Sequence, residues 1–288
     1  MKPPPFAYHR PTTVAEAVAT LADLGHDGKV LAGGQSLVPL LNMRLAAPAH
    51  LVDINRIAGL SSVSVDSGHV RVGALARHAD VLREAAIPLL RQATAYVAHP
   101  AIRNRGTTVG SLVHADPAAE MPAVLAMLDG SVTLASADGT REVGAADFFL
   151  GPLESAVRPG ELATSASFPI PPAGTGTAWL ELSRRHGDYA MAGAGVSVTL
   201  VDGEISAARA GLISVGPTPV VVDLSPALAG DLPIVADWAG AGALAAAACD
   251  PEPDIHATAA YRRHLIAVLV ARAGAAAARH AAGTGEAA

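Results

Sequence analysis

The N-terminal third of the chain alternates between helical and strand-like spacing of its apolar residues. Apolar positions recur at helical intervals between Val14 and Leu24, behind the capping pair Thr13 and Glu16, so a helix is predicted there. The patterns that follow predict, in order, a strand at 29–32, a glycine turn, a helix at 37–45, a strand at 51–54 and a hairpin at 62–72.

The remaining two thirds of the chain continue this mixture of helices and strands. The patterns predict helices at 79–85, 88–98 and 118–128, a polar loop at 99–117, a hairpin at 132–143 and a strand at 162–168. After a Pro- and Gly-rich linker at 171–176, they predict a three-stranded meander within 178–215 and helices at 241–248 and 257–279. The fold class is therefore α+β.

Composition narrows the classes of partner that this chain can have. Hydrophobic residues make up 51% of the chain and aromatic residues only 3%, so the core is built mainly from Ala, Val and Leu. The formal net charge is −6, and Lys and Arg are not clustered, which argues against nucleic acid and anionic membranes as partners.

Motif counting excludes several kinds of chemistry. One cysteine, Cys249, allows neither an intrachain disulfide nor a Cys-ligated iron–sulfur cluster built from this chain alone. The eleven histidines show no metal-binding spacing, and no G-x-S-x-G motif is present, so no metal ligand and no catalytic nucleophile are predicted. No apolar run approaches the length of a transmembrane helix and no signal peptide is recognised, so we expect a cytoplasmic protein without a transmembrane segment.

Gly33 and Gly34 lie between a predicted strand and a predicted helix. Adjacent glycines let the backbone turn sharply and bring successive N–H groups towards an anion, for which a pyrophosphate is the natural ligand. The motif matches neither a Rossmann fingerprint nor a Walker A loop. An ordinary strand-to-helix turn is the alternative interpretation.

Two further segments carry candidate binding groups. The loop IRNRGTTVGS and the following LVHADPAAE supply hydroxyls, backbone donors and the carboxylates of Asp116 and Glu120, which suit the hydroxyls of a sugar or sugar alcohol. The alternative is a polar loop in which Asp116 caps a helix that begins at Pro117. In RRHGDYAMA, Tyr189 could lie near an aromatic ring, although packing at a sheet edge is the more common role for such a tyrosine.

Five segments in this order resemble the FAD-binding medium subunit of molybdenum hydroxylases of the carbon monoxide dehydrogenase and xanthine dehydrogenase type. They are FAYHRPTTVAEAVATL, AGGQSLVPLLNMRL, IRNRGTTVGSLVHADPAAEMPAVL, RRHGDYAMAG and YRRHLIAVLVARA. The resemblance implies a vanillyl-alcohol-oxidase-type (PCMH) FAD-binding domain at 1–172, in two subdomains at about 1–55 and 56–172. It also implies a C-terminal domain of antiparallel sheet and helices at 177–280, followed by a frayed tail at 281–288.

The resemblance assigns FAD as cofactor and places each motif around it. The residues expected to wrap the pyrophosphate are Leu31, Ala32, Gly33, Gly34, Gln35, Ser36 and Leu37, and those of a second backbone clamp are Thr107, Thr108, Gly110 and Ser111. Asp116 and Glu120 would approach the sugar alcohol, and Tyr189 the isoalloxazine ring. The chain would pass electrons from a small [2Fe-2S] subunit to an external acceptor, beside a large molybdenum-cofactor subunit, in a dimer of heterotrimers.

One residue departs from the family pattern. Similar proteins carry two adjacent glycines in the second clamp, and here the first of them is Val109. A β-branched residue disfavours positive φ and places a side chain where a ligand could approach. Val109 therefore motivates one alternative to the electron-transfer subunit, a scaffold subunit with weakened flavin binding. A free-standing flavin oxidoreductase with its own small substrate is a separate alternative. The sequence identifies neither the substrate of the complex nor the acceptor.

Overall fold

The structure, a computed structural model, describes residues 1–283 of the chain. Its strands are β1 Ala7–His9, β2 Gly28–Leu31, β3 His50–Asp53, β4 Val63–Asp66, β5 His69–Gly73, β6 Ser131–Ser136, β7 Gly139–Gly144, β8 Phe149–Gly151, β9 Glu154–Ser155, β10 Leu162–Pro169, β11 Thr175–Leu182, β12 Ala192–Val201, β13 Glu204–Ile213 and β14 Val220–Asp223. Its helices are α1 Val14–Leu24, α2 Leu37–Met43, α3 His78–Glu84, α4 Pro88–Tyr96, α5 Pro100–Arg103, α6 Thr108–His114, α7 Glu120–Met127, α8 Ala145–Phe148, α9 Ser225–Leu228, α10 Trp238–Ala247 and α11 Ala259–Ala281.

The first layer is a parallel sheet of three strands in the order β1-β3-β2, against which α1 packs. Helix α1 has the predicted bounds, because the Thr13 hydroxyl accepts a hydrogen bond from the Glu16 N–H at 3.1 Å and caps its first turn. The Glu16 carboxylate accepts from the N–H of Thr12 at 2.7 Å. Because β2 and β3 are parallel, they end at the same edge of the sheet.

The second layer is an antiparallel sheet of five strands in the order β4-β5-β10-β6-β7. The predicted hairpin between β4 and β5 is confirmed, and both turn residues have positive φ, 49° at Ser67 and 79° at Gly68. The predicted hairpin between β6 and β7 is confirmed as well. The buried side chains of this sheet, including Phe168 and Leu134, form one core with α1, α4, α6 and α7.

The third layer is an antiparallel sheet in the order β11-β12-β13-β14, with helices on both faces. Helix α11 covers one face and α10 packs on α11, whereas α7 and α4 approach the other face, where Gly211 lies against Met127. Because both faces are covered, β12 is buried over most of its length and shows no apolar–polar alternation. The predicted meander is confirmed, and β14 adds a fourth strand that the sequence patterns missed.

The predicted polar loop at 99–117 is wrong. Residues 100–103 and 108–114 are helical, because Pro100 begins one short helix and the Thr107 hydroxyl caps the next by accepting from the Gly110 N–H at 3.2 Å. The buried residues Val109 and Leu112 of the second helix lie three positions apart, a spacing hidden among polar neighbours.

The C-terminal end differs from the expected tail. Helix α11 continues to Ala281, two residues beyond the predicted end of that helix, and the structure describes two further residues after it. The rest of the predicted frayed tail, residues 284–288, lies outside the described residues.

Packing between α10 and α11 gives the first testable prediction. A Cβ added to Gly242 would lie 2.2 Å from the carbonyl oxygen of Ala267, so the two helices touch through backbone atoms. We expect Gly242→Ala to lower the free energy of unfolding by about 2 kcal/mol, because the steric clash outweighs the gain of about 1 kcal/mol in helix propensity. Urea unfolding measures the change.

Gly144→Ala is the matched control, because nothing lies within 4 Å of a Cβ at that position. A Gly242→Ala protein at least as stable as the wild type would show that the helices have room to separate.

Candidate functional site

The turn after β2 lines an open cavity at the edge where the parallel strands end. Gly34 has φ +75°, a conformation that favours glycine, and the turn leads directly into α2. The cavity measures about 480 Å³ and is lined by Tyr8, Leu31, Ala32, Gly33, Gly34, Gln35, Val38, Pro39, Asp53, Asn55 and Arg105. The structure therefore brings most of the first predicted motif to one concave surface.

The backbone amides of this turn are available to a ligand. Within the described part of the chain, the N–H groups of Gly33, Gly34, Gln35 and Ser36 donate to no other atom of the protein. Ser36 precedes α2, and its hydroxyl makes no capping hydrogen bond. Successive free N–H groups around a turn form a concavity that attracts anions.

The turn lies in direct contact with the second predicted motif. A Cβ added to Gly33 would lie 2.4 Å from the carbonyl oxygen of Arg105 and 2.8 Å from the Cα of Gly106. No side chain fits between the two backbone segments. Two motifs that are about seventy positions apart in the sequence thus form a single wall of the cavity.

A network of polar side chains, which the sequence analysis missed, holds these two segments in place. The Asn55 side-chain amide donates to the carbonyl oxygen of Ala32 at 2.8 Å, and Arg77 donates to the Asn55 side-chain oxygen at 2.8 Å and to the Arg105 carbonyl at 2.5 Å. The hydroxyl of Tyr8 donates to the Asp53 carboxylate in the same cavity. The sequence could have indicated Asp53 and Asn55 as site residues. They lie at the end of β3, at the same sheet edge where the glycine turn follows β2.

The second predicted clamp forms the first turn of α6. Thr107 caps this helix, and Thr108 is fully buried with its hydroxyl 3.2 Å from Nδ1 of His78. Both threonine side chains therefore have protein partners. Gly110 lies two positions after Thr108, where a Cβ would be 2.5 Å from the Thr107 hydroxyl, and Ser111 follows it in the helix.

The expected strain at Val109 is absent. Val109 lies within α6, has no positive φ and is 2% exposed, with its side chain in the first core. The valine side chain therefore points away from the surface. The premise that it would obstruct a ligand or distort the clamp is wrong, because a β-branched residue adopts helical φ without difficulty.

Asp116 does not cap a helix, contrary to the alternative interpretation. Helix α7 begins at Glu120, three residues after the expected start at Pro117, and the Asp116 carboxylate accepts from the N–H of Ala118 at 2.9 Å in a tight turn. Ala115, with φ 53°, ends α6 and redirects the chain. Asp116 and Glu120 thus flank the junction between the two helices.

The structure adds Glu181, at the end of β11, to these two carboxylates. Burial, with Glu181 and Asp116 as nearby negative charges, raises the pKa of Glu120 to about 8. Burial also raises the pKa of Glu181 to about 7, although its carboxylate accepts from the Trp179 indole N–H at 3.1 Å. Like charges in a poorly solvated site favour the protonated acids.

Tyr189 completes this acidic cluster, which we define as Asp116, Glu120, Glu181 and Tyr189. Desolvation of the hydroxyl, together with the charges of Asp116 and Glu120, raises the pKa of Tyr189, although the residue as a whole is 69% exposed. A tyrosine side chain joins an apolar ring to a polar hydroxyl, and the effect of Asp116 and Glu120 on its pKa shows that Tyr189 lies near these two acids. The second and third predicted motifs therefore meet here.

Residues 1–283 contain neither a helix that could span a membrane nor a candidate metal site. No helix in that range is both long enough and apolar enough to cross a bilayer. In the same range, no three His, Cys, Asp or Glu side chains are grouped so that they could hold a metal ion.

Comparison with protein families identifies the class of this chain. Residues 4–171 match the family described as "FAD binding domain in molybdopterin dehydrogenase", and residues 177–277 match "CO dehydrogenase flavoprotein C-terminal domain". The chain therefore belongs to the FAD-binding medium subunits of the carbon monoxide dehydrogenase and xanthine dehydrogenase type of molybdenum hydroxylase. It is an oxidoreductase component with FAD as its cofactor, and the predicted family and fold class are confirmed.

Individual relatives agree over nearly the whole chain. The 6-hydroxypseudooxynicotine dehydrogenase complex subunit alpha of Paenarthrobacter nicotinovorans is 43% identical, with 94% of each chain covered. The carbon monoxide dehydrogenase medium chain of Afipia carboxidovorans is 37% identical, over 95% of this chain and 96% of the relative. The structure of quinoline 2-oxidoreductase from Pseudomonas putida 86 superposes with a TM-score of 0.92 at 35% identity, covering 98% of this chain and 99% of the other.

Val109 provides a test of the clamp geometry. We expect Val109→Gly to lower the free energy of unfolding by about 2–4 kcal/mol, because it empties a core position and places glycine in a helix. The FAD dissociation constant should show no improvement, since the valine does not face the ligand surface. Urea unfolding and FAD titration measure the two effects.

Val109→Ala is the control, because it shortens the same side chain and leaves the helical backbone restricted. A tighter FAD complex in Val109→Gly alone would contradict the observed orientation.

The raised pKa of Glu120 predicts a specific pH dependence of stability. Between the ordinary pKa of about 4.3 in the unfolded chain and about 8 in the folded chain, the folded state binds more protons, so stability falls as pH rises. Glu120→Gln removes this titration. We expect its stability relative to the wild type to increase from pH 5 to pH 8 in thermal unfolding of the chain without added FAD.

The exposed Glu204→Gln, at the start of β13, controls for the loss of one negative charge. If the stability of Glu120→Gln relative to the wild type is no greater at pH 8 than at pH 5, the raised pKa of Glu120 is refuted.

Proposed function

We propose that this chain is the electron-transfer subunit of its complex, taking electrons from iron–sulfur centres of a partner subunit and passing them through FAD to an external acceptor. The observation that carries the proposal is the anion-binding turn at Gly33 and Gly34, held against a second backbone segment, in a chain of the FAD-binding family. FAD, when bound, supplies a centre that exchanges both one and two electrons.

The first motif fits the pyrophosphate of FAD. The free N–H groups at 33–36 offer several hydrogen bonds to phosphate oxygens, and the absence of side chains at Gly33 and Gly34 allows close approach. Asn55 and Arg77 hold the glycine turn and the neighbouring Arg105–Gly106 backbone in place. Cofactor binding therefore costs little conformational entropy in these two segments. Leu31, Ala32, Gln35, Ser36 and Leu37 complete the proposed cradle.

The other motifs are assigned to the rest of the cofactor. The backbone at Thr107, Thr108, Gly110 and Ser111 is the proposed second clamp, where the helix turn starts beside the glycine cradle.

The acidic cluster is assigned to the flavin end of the cofactor. Asp116 and Glu120 would hydrogen-bond the sugar-alcohol hydroxyls, for which both carboxylates and protonated acids have suitable groups. The exposed ring of Tyr189 would contact the isoalloxazine ring. These residues bind and orient the cofactor, and none of them is proposed as a catalytic acid or base.

The partners follow from the division of cofactors among subunits. This chain has one cysteine, which is buried, so the [2Fe-2S] cluster is assigned to a separate small subunit. The family resemblance assigns the molybdenum cofactor to a large subunit. Relatives over nearly full length are named medium chain or complex subunit, which supports a heterotrimer, and we propose a dimer of heterotrimers in the cytoplasm. No nucleic-acid partner is proposed.

We also propose the domain division at 1–172 and 177–280, with subdomains at about 1–55 and 56–172. The family matches at 4–171 and 177–277 support the main boundary. The parallel sheet ends at Asp53 and the antiparallel sheet begins at Val63, which supports the subdivision.

The two alternatives have less support than the electron-transfer subunit. The scaffold hypothesis depended on Val109, whose side chain is buried in the core and does not face the cradle. The free-standing oxidoreductase would resemble self-contained enzymes, whereas the relatives that match nearly the whole chain are named as subunits of complexes.

Gly33→Ala tests the pyrophosphate site. The added Cβ must push the Arg105–Gly106 backbone away, which opens the cradle, and we expect FAD binding to weaken at least tenfold, or about 1.4 kcal/mol. Titration of the purified complex with FAD, followed by its visible spectrum, measures the loss.

Gly144→Ala is the control, because the added methyl group has no atom within 4 Å. This variant should bind FAD like the wild type. Absence of flavin bands from the assembled wild-type complex would refute the proposed function. Unchanged FAD affinity in Gly33→Ala would place the pyrophosphate elsewhere.

A further inference from the structure

Ser214, immediately after β13, has an unusual backbone conformation. Its φ is +63°, in the left-handed region that non-glycine residues rarely adopt. Such strain persists where surrounding contacts hold the residue in place, and it often marks a functional site. The sequence motifs gave no reason to single out this position.

Three hydrogen bonds hold Ser214 in this conformation. Its N–H donates to the carbonyl oxygen of Pro117 at 2.9 Å, and its hydroxyl donates to the carbonyl oxygen of Ala190 at 2.7 Å. Its own carbonyl oxygen accepts from the Arg262 guanidinium at 3.2 Å. One residue therefore uses its amide, its hydroxyl and its carbonyl to join three separate segments.

Two of those segments carry members of the acidic cluster. Pro117 follows Asp116 directly in the chain, and Ala190 follows Tyr189. Asp116 lies between α6 and α7, whereas Tyr189 lies in the connection between β11 and β12, so no regular element links them. Ser214 is the residue whose hydrogen bonds reach the backbone next to both.

Arg262 on α11 supports this arrangement from the opposite side. It is 6% exposed, and besides Ser214 its guanidinium donates to the Met191 carbonyl and to the Asp254 carboxylate at 2.7 Å. The N–H groups of Ala257 and His256, together with Arg262, lower the pKa of Asp254 to about 2. The Asp254 carboxylate is therefore charged at neutral pH and can pair with Arg262.

We propose that Ser214, supported by Arg262, is a positioning residue that sets the separation of Tyr189 from Asp116 and Glu120. Its effect on the flavin rests on the proposed function, in which these three residues contact the cofactor. Asp116 and Tyr189 come from segments that are far apart in the sequence, and the Ser214 hydrogen bonds join the backbone of those two segments.

The direct test follows Tyr189 itself and needs no cofactor. In Ser214→Ala the hydrogen bond to Ala190 is lost, the Tyr189 hydroxyl moves away from the acids, and its pKa should fall towards the ordinary value of about 10. An ultraviolet difference titration of the full chain against Tyr189→Phe isolates this phenol. Ser214→Gly removes the same hydroxyl and relieves the positive φ, so a shift common to both variants does not come from added strain.

The second test uses the flavin in the assembled complex. Loss of one hydrogen bond should weaken FAD binding by about fivefold in Ser214→Ala. The double variant with Tyr189→Ala should depart from additivity by about twofold or more, because Tyr189→Ala removes the ring contact that Ser214 is proposed to position. Ser206→Ala is the matched control, since its hydroxyl also donates to a carbonyl oxygen, that of Thr199 at 3.0 Å, at an exposed position in the same sheet.

The outcomes separate the two proposals. A lowered Tyr189 pKa in both Ser214 variants and not in Ser206→Ala supports positioning, whether or not FAD is present. An unchanged Tyr189 pKa, or strict additivity with Tyr189→Ala, overturns it. A wild-type complex without flavin would refute the electron-transfer function, and the Tyr189 titration would still decide the role of Ser214.

Discussion

The contact of Gly33 with the backbone of Arg105 and Gly106 is the constraint on which the first half of the site depends. A side chain at Gly33 would collide with the carbonyl oxygen of Arg105 at 2.4 Å, so the cradle closes only when that position has no Cβ. The close approach leaves the amides of the turn facing the cavity, and Asn55 and Arg77 then bind the carbonyls on either side of the junction. A pyrophosphate would meet a surface that is already formed.

The second half of the site depends on a junction between layers. Helix α7 packs on the C-terminal sheet through Met127 and Gly211, and this packing brings the start of α7 near the end of β11. Glu181 consequently lies close enough to Glu120 for its charge to add to the burial that raises the pKa of Glu120. A protein that only needed stability would gain by replacing such acids with apolar side chains, so their presence favours a role in binding.

Subunits of this family occur in complexes that are named for different substrates. Relatives that match over nearly the full length are named for carbon monoxide, 6-hydroxypseudooxynicotine and quinoline. In the proposed function, the glycine turn and the acidic cluster of this chain bind FAD rather than the substrate of the complex. This is consistent with substrate recognition in a partner subunit and a shared flavin-binding scaffold.

The sequence alone determined the features that depend on local spacing. The α+β class, helix α1 with its Thr13 cap, the hairpin turns and the glycine turn all follow from residues within a few positions of each other. The resemblance of five ordered motifs, confirmed by the family matches, extended this to FAD. Two predictions were wrong, the polar loop at 99–117 and the strain at Val109. Helix 108–114 is short, and it is stabilised by the packing of Val109 and Leu112 in the core rather than by a local pattern.

Only the tertiary structure decided which distant segments meet. No local pattern indicates that Gly33 touches Arg105, that Asn55 bonds to Ala32, or that Glu181 joins Glu120. The conformation of Ser214 could not be predicted from the sequence either, because serine has no particular preference for positive φ. Its hydrogen-bond partners are Pro117, Ala190 and Arg262, which are about a hundred, twenty-four and forty-eight positions away along the chain. Hydrogen bonds and excluded volume between segments, rather than propensities along the chain, determine the geometry of this site.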